Sequence, residues 1–303
     1  MSEETNSSLY DKTMQQLETR RQRILNGGIN CIPTPFKRFE NDFCGIEQDT
    51  YYCVTSFTKG GKSQLVSLVF IYRTVIYSYF AKENVDFKII YFPLEETKER
   101  IMQRFMSWLL FRFSKSTIRV SPKDLRSTTS PLDEKIIDRL KQFDIQDILK
   151  YFEEHVIFPT EAPNPTGIYK YCKQYALDHG TEKKRTIKIK DELGQLQDRE
   201  VFDSYEQDNP NEYRMIIIDT INLIDTERGM NLKQSMDKLS EYLAKYLRNR
   251  YHYSPIVIQQ QAFESESNES FKLGKVRPSV AGLGDSKYTS RDKQLIYKCL
   301  LIP

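Results

Sequence analysis

Long apolar runs are missing from this sequence. No stretch approaches the roughly 20 residues that a helix needs to span a bilayer, and the polar start MSEETNSS is not a signal peptide. A soluble, intracellular protein is expected. Paired cysteines are missing too: Cys31, Cys44, Cys53, Cys172 and Cys299 are scattered with no C-x-x-C spacing. Such an odd, unpaired set argues for reduced thiols and against a zinc site. Histidine is scarce, and His155, His179 and His252 stand alone, as ordinary surface or core residues do rather than metal ligands. No charge of one sign dominates, since 45 Lys and Arg face 42 Asp and Glu for a net +3. Any nucleic-acid surface must therefore be local. Tryptophan occurs once, at Trp108, and no internal repeat is present.

What is there is a chain of 303 residues, enough for one large α/β domain or two small ones. Ser8 to Asn26 reads as an amphipathic helix. Ser8 and Asp11 make a serine-x-x-acid start, Tyr10, Met14, Leu17, Ile24 and Leu25 recur at helical spacing, and Gly27-Gly28 end the run. Arg20, Arg21 and Arg23 lie near its C-terminal end, where the helix dipole favours cations. Periodicity leaves open whether this helix lies on its own domain or docks on a neighbouring subunit.

Apolar, strand-like runs then alternate with helical patterns. The runs are Tyr51–Val54, Phe87–Phe92, Val156–Phe158, Met215–Ile218, Pro255–Ile258 and Gln294–Leu301; the helical patterns include Lys62–Phe80 and Lys98–Phe113. This alternation predicts an α/β fold with a mostly parallel, twisted sheet and helices on both faces. Ligands of such sheets bind at the C-terminal ends of the strands. Ser114–Leu149 reads as a charged helical excursion. Thr181–Tyr213, with Lys183, Lys184 and Arg185, reads as an insertion, mobile or hairpin-like, whose charge run is a solvated face.

Directly after the first strand comes Ser56-Phe57-Thr58-Lys59-Gly60-Gly61-Lys62-Ser63, and a helical pattern follows it. This is the phosphate-loop arrangement G-x-x-x-x-G-K-[ST] with serine at its first position. Gly60 and Gly61 let the backbone turn so that successive N–H groups face the phosphates of ATP. The following helix N-terminus adds positive potential. Lys62 supplies a point charge and Ser63 a hydroxyl for Mg2+.

Three further strands end in groups that such a site needs. Met215-Ile-Ile-Ile-Asp219 has the form of a metal-binding strand end; read alone, it is equally a strand followed by an Asx turn. Phe87-Lys-Ile-Ile-Tyr-Phe-Pro-Leu-Glu95 ends in an acid. Placed beside the loop strand, it would aim Glu95 at the terminal phosphate to orient or deprotonate water. Glu96 competes for that role, and the plain alternative is two exposed acids opening a helix. Pro255-Ile-Val-Ile-Gln-Gln-Gln261 ends in amides that can bond the terminal phosphate without charge. The polar segment Ala262 to Gly282 then offers Lys272, Lys275 and Arg277 to the phosphates of a nucleic-acid strand, against Glu264, Glu266 and Glu269.

Taken together, these residues resemble the RecA-like ATPase domain of the DnaB-like replicative helicases. Ile32-Pro-Thr-Pro-Phe-Lys37 is similar to the family's entry stretch, and Leu94-Glu95 to its catalytic-glutamate motif. Asp219-Thr-Ile-Asn-Leu-Ile resembles its metal-binding strand end, and Gln261 falls on its sensor glutamine. Arg277-Pro278 and Leu283-Gly-Asp-Ser286 are similar to the segment after its DNA-binding loop. The resemblance runs from about Gly28 to Leu301. It implies a linker helix at 1–28, a P-loop ATPase domain at 29–303 with an insertion at 181–213, and ATP and Mg2+ as cofactors. As partners it implies single-stranded DNA, further copies of the chain in a hexameric ring, and other replication proteins, in the cytoplasm of a bacterial or phage-infected cell, with no membrane.

The family's N-terminal primase-interacting domain and C-terminal basic finger have no match in these 303 residues. A different recruitment and a weakened hydrolysis are therefore expected. Arg291 and Lys298 are stand-ins for the finger that nothing in the sequence supports. Two other readings stay open: a RecA-like regulatory or recombination ATPase that does not unwind, and a nucleotide-binding scaffold derived from a helicase.

Overall fold

Strands that are apolar at every position need cover on both faces, and that demand sets the architecture. The computed structural model describes residues 8–37, 40–41, 44–57, 59–81, 85–161, 163–190 and 195–261, and the backbone of 295–298. Helix α1 (Leu9–Leu25) leads to strand β1 (Tyr52–Ser56), the long helix α2 (62–80), β2 (Asp86–Pro93) and α3 (Lys98–Phe113). Next come α4 (Pro122–Leu125), α5 (Glu134–Leu140), α6 (Phe143–His155), the short β3 (Val156–Ile157) and α7 (Pro165–Asp178). An antiparallel ribbon, β4 (Gly180–Lys190) and β5 (Leu196–Gln207), precedes β6 (Glu212–Asp219), α8 (232–251), β7 (Tyr253–Gln260) and β8 (Leu295–Lys298).

The sheet runs β3-β2-β6-β7-β1-β8, and every pair in it is parallel. Alternate side chains go to opposite faces. Met215 and Ile217 of β6, with Ile89 and Tyr91 of β2, join a core closed by α2, α3 and α6. Ile216 and Ile218, with Ile90 and Phe92, join a second core closed by α7 and α8. Each fully buried isoleucine contributes about 1.5–3 kcal/mol, so β6, buried along its whole length, is the best-anchored strand. Both α2 and α8 contain a π-helical turn, at Ser67–Tyr72 and Tyr242–Arg248.

The expected strand at Phe87–Phe92 forms, but not beside the loop strand. β2 pairs with β6 from Asp86↔Glu212 to Pro93↔Asp219, and β7 separates β6 from β1. An apolar run says that a strand is buried, not which strand lies next to it. Of the stretch 181–213, Glu212 and Tyr213 already belong to β6, while the part up to Gln207 takes the hairpin-like form, a ribbon paired from Gly180↔Gln207 to Lys190↔Leu196 with one register shift at Lys183/Lys184. Its root is tied to the body by Arg214, 1 % exposed. This guanidinium donates to Tyr205 Oη at 2.7 Å, to the His179 carbonyl at 2.8 Å and to Glu212 Oε2 at 2.5 Å.

Helix α1 begins as its sequence directs. The Ser8 hydroxyl accepts from the Asp11 N–H at 3.2 Å, and the Asp11 carboxylate accepts from the Ser8 N–H at 3.0 Å, a reciprocal cap. Near its C-terminal end, Arg20 pairs with Glu47 at 2.9 Å and Arg23 donates to Gln48 Oε1 at 2.9 Å. Its apolar side chains stay largely exposed, most of all at its start, where Leu9 is 83 % and Tyr10 71 % exposed. No helix among the described residues is long and apolar enough to cross a membrane.

Candidate functional site

The site forms where β1, β2, β6 and β7 end, at the C-terminal edge that the topology predicts for a ligand. Between β1 and α2 the chain must turn tightly, and the 56–63 loop does so with left-handed backbone at Lys59 (φ 59°) and Gly61 (φ 73°). Gly60 has no room for a side chain: a Cβ there would collide with Ser56 Oγ and come within 2.8 Å of the Phe57 carbonyl. A loop with that constraint exposes bare backbone, which is what phosphate oxygens approach at a helix N-terminus. Lys62 is buried, and its ammonium donates to the Phe57 carbonyl at 2.8 Å and the Ser56 carbonyl at 3.4 Å. Thr58 lies outside the described residues.

Ser63, in the first turn of α2, donates its hydroxyl to Asp219 Oδ1 at 2.9 Å. Tyr91, fully buried on β2, donates its hydroxyl to Asp219 Oδ2 at 2.9 Å. Burial pushes the Asp219 carboxyl above the usual carboxylate range, and those two hydrogen bonds oppose the push. Burial also raises the Tyr91 phenol well above its ordinary value, so it stays protonated and acts as a donor. Among the described residues no cluster of three His, Cys, Asp or Glu could hold a metal ion. One hydroxyl and one carboxylate nevertheless suit magnesium, which keeps several waters and takes its remaining ligands from phosphates.

Glu95 and Glu96 both follow β2, and the Leu94 and Glu95 N–H groups donate to the Asp219 carbonyl at 2.7 and 3.3 Å. That links the two strand ends. Glu96 is engaged by Arg104 of α3 at 2.7 Å, whereas Glu95 is exposed and is in no ion pair among the described residues. A cavity of about 430 Å³ is lined by 59–64, Glu95, Glu96, Arg104, Asp219 and Gln260. Gln260 rather than Gln261 lines it; Gln261 is buried, and its N–H donates to the Ser56 carbonyl at 3.1 Å and its amide to Thr55 Oγ1 at 2.6 Å. The peptide bond Asp219–Thr220 is cis. Lys272, Lys275 and Arg277 lie outside the described residues.

No protein-family model and no curated protein sequence matches the chain. Its fold does match solved structures. One of them is a DnaB-like replicative helicase, described with its interactions with primase, at a TM-score of 0.62 and 12% identity, covering 96% of this chain. The chain has the RecA-like fold. It spans 56% of that helicase chain.

The RecA-like sheet brings Lys62, Ser63, Glu95 and Asp219 to one cavity across gaps of many residues in sequence. Three further residues enter the candidate site that sequence patterns did not single out: Tyr91, Arg104 and Gln64. A faint signal existed for Tyr91, because it carries a polar tip inside an apolar run. Nothing in the sequence distinguishes Arg104 from Arg100 or Arg112 on the same helix.

Proposed function

We propose that this chain is an ATP-hydrolysing motor of the helicase type, moving on single-stranded DNA during replication. The observation that carries the reading is the Ser63–Asp219 hydrogen bond at 2.9 Å, in a cavity that residues 59–64 and Glu95 also line. In this reading the loop backbone and Lys62 hold the phosphates of ATP, and Ser63 and Asp219 hold magnesium. Magnesium, when bound, offsets phosphate charge. Glu95 orients and deprotonates the attacking water. Glu96 is engaged by Arg104, which favours Glu95 of the two acids. Gln261, braced on Thr55 and Ser56, acts as the sensor at the end of β7.

The same reading includes several copies of the chain in a ring, with other replication proteins as partners. Support comes from α1, whose polar ties to its own body sit near its C-terminal end. Its exposed Leu9, Tyr10 and Leu17 are left for an adjoining copy.

The deciding test is ATP turnover with magnesium, with and without single-stranded DNA, in the native chain and in Lys62→Ala. Turnover that DNA stimulates and Lys62→Ala abolishes is expected. Turnover indifferent to DNA counts against a motor. A forked duplex left unparted by an active ATPase would favour a RecA-like ATPase that does not unwind. Turnover no greater than that of Glu95→Gln would favour a nucleotide-binding scaffold. Mass in solution with ATP, magnesium and single-stranded DNA tests the ring.

A further inference from the structure

A buried tyrosine hydroxyl must find a hydrogen-bond partner, and most find a backbone carbonyl or water. Tyr91 instead spends its only donor on the carboxylate that closes β6. The register makes this possible. β2 and β6 pair Tyr91 with Ile217 and Pro93 with Asp219, so the long phenol reaches from two positions below the strand end to Oδ2. Its ring is held from the side by Phe158, with centroids 5.6 Å apart. The two carboxylate oxygens therefore have separate partners: Oδ2 faces β2 and Oδ1 faces Ser63 at the head of α2.

The torsion of an aspartate carboxylate about its last bond is soft and roughly two-fold. One hydrogen bond to Ser63 alone leaves the group free to swing. Two donors on opposite sides fix its plane before any ligand arrives. Removing a residue that orients a metal ligand from behind typically weakens metal affinity about 10–100-fold.

We propose that Tyr91 is a positioning residue that holds Asp219 in the orientation needed to bind a divalent cation beside the nucleotide. This rests on the nucleotide reading above. A tyrosine that merely satisfied its own hydroxyl on the nearest acceptor would leave cation binding untouched when that hydroxyl is removed.

The test is Mn2+ binding, read by electron paramagnetic resonance on the full chain saturated with ADP, with ADP affinity in EDTA and thermal unfolding without metal measured alongside. Tyr91→Phe is expected to weaken Mn2+ about 10–100-fold and to leave the EDTA affinity for ADP unchanged. Tyr91→Met, which loses the ring as well, should weaken Mn2+ by the same factor while unfolding at a lower temperature. In an Asp219→Asn background, Tyr91→Phe should add nothing, because both act through one carboxylate. Mn2+ affinity that follows thermal stability, falling further in Tyr91→Met than in Tyr91→Phe, overturns the proposal and leaves a packing role. Unchanged Mn2+ affinity in Tyr91→Phe overturns it as well, with the nucleotide reading intact. A native chain that binds no ADP overturns both.

Discussion

β6 and the β4–β5 ribbon are both β structure, yet different forces hold them. All eight residues of β6 are buried, with a strand on each side and an apolar core against each face. The ribbon strands have only each other. Beyond the root their side chains are largely exposed, and their cross-strand ion pairs (Lys183–Glu206, Lys184–Glu200, Arg185–Asp203) stand in solvent. Exposed pairs of this kind contribute roughly 0–1 kcal/mol each, whereas one buried isoleucine contributes about 1.5–3 kcal/mol. A carboxylate that must stay within hydrogen-bond reach of a serine on another element is placed by the first kind of strand. Arg214 joins the two regions, since it belongs to β6 and grips the ribbon at Tyr205.

The contrast can be broken at several points. The largest effect is expected at the end of β2. Glu95→Gln should lower ATP turnover by about 10²–10⁴-fold, the usual contribution of a general base, while Glu96→Gln should lower it far less; steady-state rates on both variants decide, and equal losses would remove the distinction that Arg104 draws. Next comes the junction. Arg214→Ala leaves Glu212 buried without its cation and should cost about 3–5 kcal/mol, measured by urea unfolding; a loss under 1 kcal/mol would show the ribbon root to be dispensable.

Smaller still are changes within the ribbon. Lys184→Ala and Arg185→Ala should each shift stability by no more than about 1 kcal/mol and leave ATP turnover as in the native chain. Turnover that fell with either would tie the ribbon to the site. The smallest effect lies at His252, which faces Asp49 with 3.1 Å between Nδ1 and Oδ2. The Asp49 carboxylate raises the imidazole pKa above its ordinary 6.5. The stabilisation is therefore fully present below about pH 6.5 and fades as pH rises through the raised value. His252→Gln should melt below the native chain at pH 5.5 and converge with it at pH 9; a gap that does not change with pH would rule the linkage out.

Much of this molecule was legible in one dimension. Whereas 181–213 read equally as mobile or hairpin-like, the turn at Gly60 and Gly61, the buried strands, the α3 span Lys98–Phe113 and the cap at Ser8 and Asp11 all rest on contacts or patterns within a short stretch. Steric demands, periodicity and local hydrogen bonds act there without reference to the rest of the chain. The shift of β2 away from β1, the tie between Tyr91 and Asp219, the pairing of Glu96 with Arg104 and the burial of Arg214 were not legible. Each depends on which strand lies beside which, and on the depth to which packing carries a side chain. Ser63 stands out in its own neighbourhood, after Gly60-Gly61-Lys62, whereas Asp219 read alone is equally the start of an Asx turn. Only the folded sheet, by closing 156 residues of sequence to 2.9 Å, brings the two oxygens together, because pairing with β2 and β7 fixes where β6 lies.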